Sequence, residues 1–207
     1  MNDIKDIYSR VKNLAGILYP EHRKALIQAS LDTSGFKIEI GCLIGLSTCC
    51  IALSSSDTDH IISVDPFRIE YLSDMAKGVV ASYSGKEVLN QEGFFSSWEH
   101  QVNKICPGKT ITPVIGDRID QLPRVKEILG NEKAGLLFID GLHNYESVRK
   151  DIDTYLPLTK LGGLVAFHDH SNEYPGVVQA VKETLNDGRL EIFRNGYLLT
   201  TRKINER

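Results

Sequence analysis

Five acidic side chains lie in or directly behind short apolar runs. Glu39 sits within Phe-Lys-Ile-Glu-Ile, Asp65 follows His-Ile-Ile-Ser-Val, and Asp117 follows Ile-Thr-Pro-Val-Ile-Gly. Asp140 follows Leu-Leu-Phe-Ile, and Asp169 follows Val-Ala-Phe-His. Carboxylates in such places can accept hydrogen bonds from hydroxyl or amino groups, or hold a divalent cation. His143, His168 and His170 stand beside the last two and add imidazoles that can take a proton near neutrality or bind a metal. Between Glu39 and Asp65 runs Gly41-Cys-Leu-Ile-Gly45-Leu-Ser47. Glycines at a strand-to-helix turn let the backbone approach a ligand with no Cβ in the way. The helix start that follows offers free N–H groups.

These residues need elements to hold them, and the hydrophobic pattern supplies them. Runs at 36–40, 60–64, 111–115, 134–139 and 164–167 read as short buried strands, with helices expected at 45–53, 144–156 and 175–186. Such alternation implies parallel βαβ units with both sheet faces covered. Two further strand-like runs, 189–194 and 197–202, meet at Asn195-Gly196, which predicts a tight antiparallel hairpin at the end of the sheet. The first 32 residues read as a helical preface. Ile4, Ile7, Val11, Leu14 and Leu18 predict a helix over 2–18, and Pro20 opens another that reaches about residue 30. The stretch 66–98 is long for a connection. Residues 94–105 read as a helix and 68–93 as an irregular insertion, either a lid over a ligand or a decoration with its own apolar patch. The whole chain, 1–207, reads as one domain.

Composition narrows the class of function. The 207 residues are 42% hydrophobic and 25% charged, which excludes a disordered chain, and no apolar run is long enough to span a bilayer. A net charge of −3 with scattered lysines and arginines argues against nucleic acid as partner. Cys42, Cys49, Cys50 and Cys106 match no zinc spacing, and the N-terminal MNDIKDIYSRVKNL lacks the apolar core of a signal peptide. Reduced thiols and a cytoplasmic location are expected.

The glycine loop has no Gly-Lys-Ser/Thr of a phosphate loop and no Gly-x-Gly-x-x-Gly of a dinucleotide site. Glu39 would repel a pyrophosphate and tolerate a cationic ligand. Asp65, about twenty residues on, can accept both hydroxyls of a ribose, and Asp117 can receive an adenine amino group. Glu39, Asp65, Asp117 and Asp140 end four strands, and those ends line one crevice.

The run Ile-Glu39-Ile-Gly41-x-x-x-Gly45-x-Ser47, then Val-Asp65-Pro-Phe and Gly116-Asp117, resembles the class I methyltransferases. Phe-Ile-Asp140-Gly-Leu-His143-Asn-Tyr145, Gly162-Gly163-Leu-Val-Ala-Phe-His168-Asp169 and Pro175-Gly176-Val177 look like the subgroup of macrocin-type and cephalosporin-pathway O-methyltransferases. The resemblance implies a Rossmann-like α/β fold with a mostly parallel twisted sheet and a C-terminal antiparallel hairpin. It implies S-adenosylmethionine as cofactor, held by Glu39, Gly41, Gly45, Ser47, Asp65, Asp117 and Asp140. It further implies a divalent metal, magnesium or manganese, on Asp140, His168 and Asp169, and a small hydroxylated acceptor. Relatives often carry an acidic residue two places after the strand-four aspartate. Leu142 stands there, so His143 with Asp140 is the expected catalytic pair, and His170 the weaker candidate. Self-association is left open. Two other readings compete: a nicotinamide-dependent oxidoreductase, and a regulator that keeps the cofactor pocket without catalysis.

Overall fold

The computed structural model describes residues 3–84 and 90–206. Helices α1 (Ile4–Val11) and α2 (Pro20–Leu31) precede strand β1 (Phe36–Ile40), helix α3 (Leu46–Ser54) and strand β2 (His60–Asp65). Helices α4 (Asp74–Ser84) and α5 (Gln91–Ile105) lead to β3 (Thr110–Ile115), α6 (Leu122–Leu129) and β4 (Ala134–Ile139). Then come α7 (Tyr145–Tyr155), β5 (Thr159–Phe167), α8 (Pro175–Asn186), β6 (Leu190–Arg194) and β7 (Leu199–Lys203). The sheet order is β3-β2-β1-β4-β5-β7-β6. Strands β1 to β5 pair in parallel, and β7 runs antiparallel to both β5 and β6. This is the Rossmann-like α/β fold, mostly parallel with a C-terminal antiparallel hairpin, that the resemblance implied.

Two apolar layers sandwich the sheet. On one face α1, α2, α3 and α5 pack around Leu26, Ile51, Phe67, Phe94 and Trp98. On the other, α6, α7 and α8 pack around Ile38, Ile40, Val125, Ile152 and Val181. Side chains alternate along β1, so Ile38 and Ile40 enter the second layer while Lys37 and Glu39 are buried on the α3 side.

Several elements differ from the sequence expectation. The first helix stops at Val11 rather than reaching residue 18. Arg23 explains the stop: its guanidinium donates to the carbonyls of Val11, Lys12 and Leu18 at 2.7–2.9 Å, satisfying the helix end from outside. Residues 68–93 are not irregular, since a 3-10 turn at Ile69–Tyr71 and helix α4 occupy most of them, while 85–89 lie outside the described residues. Helix α6 was not anticipated, and β5 starts at Thr159, five residues early. The hairpin exists, but Asn195-Gly196 does not make a tight two-residue turn. Gly196 has no left-handed φ, residues 195–198 form the connection, and the register slips between Ile192 and Arg194.

Candidate active site

The carboxyl ends of β1 to β5 carry the predicted acids. After β1 the chain turns through Gly41 (φ 82°) and Leu43 (φ 45°) to Gly45 (φ 91°), which caps α3. The turn is close-packed: a Cβ on Gly41 would lie 2.2 Å from the Asp140 carbonyl oxygen, and one on Gly45 would lie 2.6 Å from Val102. Only glycine fits either place.

Asp65 braces this loop. One carboxylate oxygen accepts from the backbone N–H groups of Cys42 (2.9 Å) and Leu43 (3.3 Å), and the other from Phe67 (2.7 Å). Three acceptor places are thus already in use, which the sequence reading, assigning Asp65 wholly to a ribose, did not foresee. Burial pushes its acid upward against these hydrogen bonds.

Glu39 is fully buried beneath the loop rather than lining an open crevice. Its Oε2 accepts from Thr48 (2.7 Å) and Ser63 (2.8 Å), and Thr48 in turn accepts from the Trp98 indole at 3.2 Å. Its Oε1 has no hydrogen-bond partner. Desolvation raises the acid to about 7, opposed by the neighbouring hydroxyls of Ser47, Thr48 and Ser63. Ser47 is buried in the first turn of α3. Asp117 is more exposed. It accepts from the Ile119 N–H at 2.8 Å and pairs with Arg118, whose guanidinium also grips the buried Asp151.

At β4 and β5 the acids and imidazoles converge. Asp169 adopts φ 55°, a left-handed turn that aspartate tolerates better than most residues. That turn cancels the alternation of an extended strand, so His168 and Asp169 face the same side. His168 Nδ1 lies 2.9 Å from Asp140 Oδ1 and 3.1 Å from Asp169 Oδ2, and His143 Nε2 lies 3.1 Å from Asp169 Oδ2. One atom each from Asp140, His143 and Asp169 falls within 4.8 Å of the others. His143 therefore stands with Asp140 and Asp169 in that group, which among the described residues includes neither the predicted ligand His168 nor His170. Desolvation alone would lower the His168 acid, but Asp140 and Asp169 outweigh it and hold it at about 10. The two imidazoles in turn keep Asp140 below the usual carboxylate range despite its burial. His22, from α2, completes the cluster with Nδ1 2.9 Å from His168 Nε2. No local signal in the sequence marked it.

Two groups fit absent ligands. The unpartnered Glu39 Oε1 and the glycine-only backbone at 41 and 45 suit a cationic ligand laid over the loop. Asp140 and Asp169 converge on the buried His143 Nε2, which has no hydrogen-bond partner, and one ligand atom of each lies within 4.8 Å of the others, which suits a cation held among them.

Residues 38–170 match the family model for a methyltransferase domain, well over half of the chain, and the chain belongs to that family. Solved structures share the fold. The O-methyltransferase TomG of Streptomyces achromogenes, involved in tomaymycin synthesis and in complex with SAM, is 12% identical with a TM-score of 0.66, over 99% of this chain and 92% of that one. An O-methyltransferase from Bacillus cereus in complex with SAH is 14% identical, TM-score 0.61, over 97% and 89%. The O-methyltransferase NovP is 15% identical, TM-score 0.63, over 93% and 84%. No curated protein matches the sequence.

Proposed function

We propose that the chain transfers a methyl group from S-adenosylmethionine to a hydroxyl oxygen of a small molecule, as a cytoplasmic enzyme assisted by a divalent cation. The observation that carries this reading is the adjacency of the glycine loop to the acid–imidazole cluster: Gly41 packs directly on the backbone of Asp140, whose carboxylate belongs to that cluster. The glycine loop and the acid–imidazole cluster thus adjoin each other at the carboxyl edge of the sheet. The solved relatives complexed with SAM or SAH support the cofactor, and their designation as O-methyltransferases supports the acceptor atom. The fold and loop spacing disfavour the nicotinamide alternative. Among the described residues, no helix is long and apolar enough to cross a membrane.

When bound, S-adenosylmethionine supplies an activated methyl group, and a cation supplies charge that lowers the pKa of an acceptor hydroxyl. The chain's work is positioning. The 41–47 loop, with Glu39 buried beneath it, holds the cationic amino acid end. Asp65 braces the loop and offers its remaining acceptor capacity to the ribose, and Asp117 faces the adenine. Asp140 and Asp169 would hold magnesium or manganese, and His168 would join them as third ligand only on giving up the Nδ1 proton that the two carboxylates favour. His143, the more exposed imidazole, takes the proton from the acceptor hydroxyl, the role for which Leu142 offers no group. A chelator should abolish methyl transfer and leave S-adenosylhomocysteine binding intact, and Asp169→Asn should mimic it. Full activity in excess chelator with no metal by elemental analysis would overturn the metal role. Calorimetry that finds tight binding of a nicotinamide dinucleotide and none of S-adenosylhomocysteine would overturn the function itself.

A further inference from the structure

Three tyrosines from three separate elements stand around the acid–imidazole cluster, and all of them lie outside residues 38–170, the part that matches the methyltransferase domain. Tyr19 comes just before α2. The Arg23 guanidinium holds the neighbouring Leu18 carbonyl at 2.7 Å, and the Tyr19 ring sits edge-on to His22 at 5.5 Å. Tyr197 lies in the connection between β6 and β7. Register fixes its place: Leu199 pairs with Phe167, so Tyr197 arrives beside the end of β5, with its ring 6.3 Å from His22. The His22 ring is in turn 4.9 Å from that of His168. Tyr174 precedes α8. A Cβ on Gly176 would meet the backbone of residues 143–145 at 2.5–2.9 Å, so the start of α8 packs flush on that turn. This close approach carries the Tyr174 ring to 4.7 Å from His143.

These rings are not core. Tyr19 is 64% exposed and Tyr197 73%, Tyr174 is half-buried, and Leu142, next to His143, is 42% exposed. A single exposed apolar side chain needs no explanation, but several gathered round one polar cluster do. The polarity is divided: carboxylates and imidazoles lie together, and rings and a leucine stand around them. A site of this kind orients its ligand by a few polar groups and holds the rest by apolar contact. The matching ligand carries its hydroxyl at one end of a flat apolar body. A sugar does not, because its hydroxyls project all round, and several would lose water against the rings without gaining a partner. Charge narrows the ligand further. The charges that act on His22 and Tyr174 include Glu21, Asp140, Asp169 and Glu173, which repel a phosphate or carboxylate.

We propose that Tyr19, Tyr174 and Tyr197 form the acceptor-binding rim of the site, and that the acceptor is a neutral phenol whose ring lies among them. Its hydroxyl then meets the group formed by Asp140, His143 and Asp169. The proposal rests on methyl transfer for its reaction, but not for its binding surface. Transfer forms the oxygen–methyl bond as the sulfur–methyl bond of the donor breaks, and the phenol proton passes to His143. The matched domain thus supplies the cofactor loop and the cluster, while flanking residues choose the acceptor.

Calorimetry with S-adenosylhomocysteine and methyl-transfer assays with S-adenosylmethionine, both on the full chain with manganese supplied, test the rim. The probes are catechol, a vicinal dihydroxynaphthalene, the carboxylated phenol protocatechuate, and methyl glucoside. Both neutral phenols should bind, the naphthalene more tightly because its second ring reaches the tyrosines. Protocatechuate should bind more weakly than catechol, and the glucoside should be inert. Each of Tyr19→Ala, Tyr174→Ala and Tyr197→Ala should raise the dihydroxynaphthalene KM roughly 2- to 12-fold with little change in kcat, the worth of one aromatic pair. Phenylalanine at the same positions keeps the ring and should stay within about twofold of wild type. Affinity for S-adenosylhomocysteine should be the same in all of them. A wild type that binds neither neutral phenol would overturn the proposal, whether or not the glucoside is methylated. So would alanine variants with the wild-type affinity for dihydroxynaphthalene. If S-adenosylhomocysteine does not bind, the methyltransferase reading falls, and dihydroxynaphthalene binding to wild type and the alanine variants alone decides the rim.

Discussion

Replacing Gly41 by alanine, with Gly35→Ala as control, separates the shape of the cofactor loop from its conformational strain. Both glycines are left-handed, with φ of 82° and 85°. Alanine therefore suffers a similar backbone penalty at each, about 1–2 kcal/mol. Only the surroundings differ. A Cβ at 35 meets nothing within 4 Å, whereas at 41 it would meet the Asp140 carbonyl oxygen at 2.2 Å and carbon at 2.7 Å. Neither backbone can withdraw freely, because the Gly41 N–H donates to Val64 and the Asp140 N–H to Ile40, each at 2.9 Å. Forced overpacking adds about 1–3 kcal/mol. Gly35→Ala should thus cost about 1–2 kcal/mol, and Gly41→Ala about 2–5 kcal/mol. At roughly 2–4 °C per kcal/mol for a domain of this size, the melting temperatures should separate clearly. S-adenosylhomocysteine affinity should survive the first change and fall at least about tenfold in the second, a loss of roughly 1.4 kcal/mol. Equal melting shifts would refute the steric argument. Unchanged affinity in Gly41→Ala would refute the placement of the cofactor over this loop.

Asp65→Asn halves the acceptor capacity that three backbone N–H groups now share, so stability should fall by about 1.5–3 kcal/mol, with weaker S-adenosylhomocysteine binding. A variant that melts and binds like the wild type would remove the bracing role. Glu39, raised from 4.5 to about 7 by burial, stays protonated in the folded chain after the unfolded chain has released its proton. Its contribution is therefore complete below pH 4.5 and lost as pH rises through 7, on the order of 3 kcal/mol in all. Urea unfolding at pH 5 and pH 8 should show that slope in the wild type and a flatter one in Glu39→Gln; parallel slopes would contradict it. If residues 68–84 cover the acceptor, hydrogen exchange there should slow when S-adenosylhomocysteine is added, and identical protection leaves only the decorative reading.

The sheet was legible because its strands are short apolar runs bounded by acids and glycines, and β1, β2 and β4 fall where those runs lie. Helix α4 was not, since Gly78 and the pair Val79-Val80 depress helix propensity and tertiary packing of Val80 overrides it. Part of the long 66–98 connection is core: Phe67 is buried against both Phe94 and Trp98. In the site, the strand-end acids were visible because each ends an apolar run. Their partners were not. That Asp65 is held by backbone N–H groups, that Glu39 lies under the loop and that His22 reaches His168 all depend on packing between elements, which no local pattern encodes.

The distribution of backbone strain gives an independent pointer to the same edge of the sheet. Among the described residues, three non-glycine positions have left-handed φ: Leu43, Phe67 and Asp169. They follow β1, β2 and β5, all at the carboxyl ends. Each conformation costs roughly 1–3 kcal/mol and persists only where the surroundings enforce it. At two of them the enforcing contact is the same carboxylate, since the N–H groups of Leu43 and Phe67 both donate to Asp65. The third is the turn that brings Asp169 round to His168 and His143. Packing alone would not confine such strain to one edge or tie it to acidic groups each time. A crevice that must aim carboxylates at a ligand would do both, which is why the strained turns and the proposed chemistry coincide.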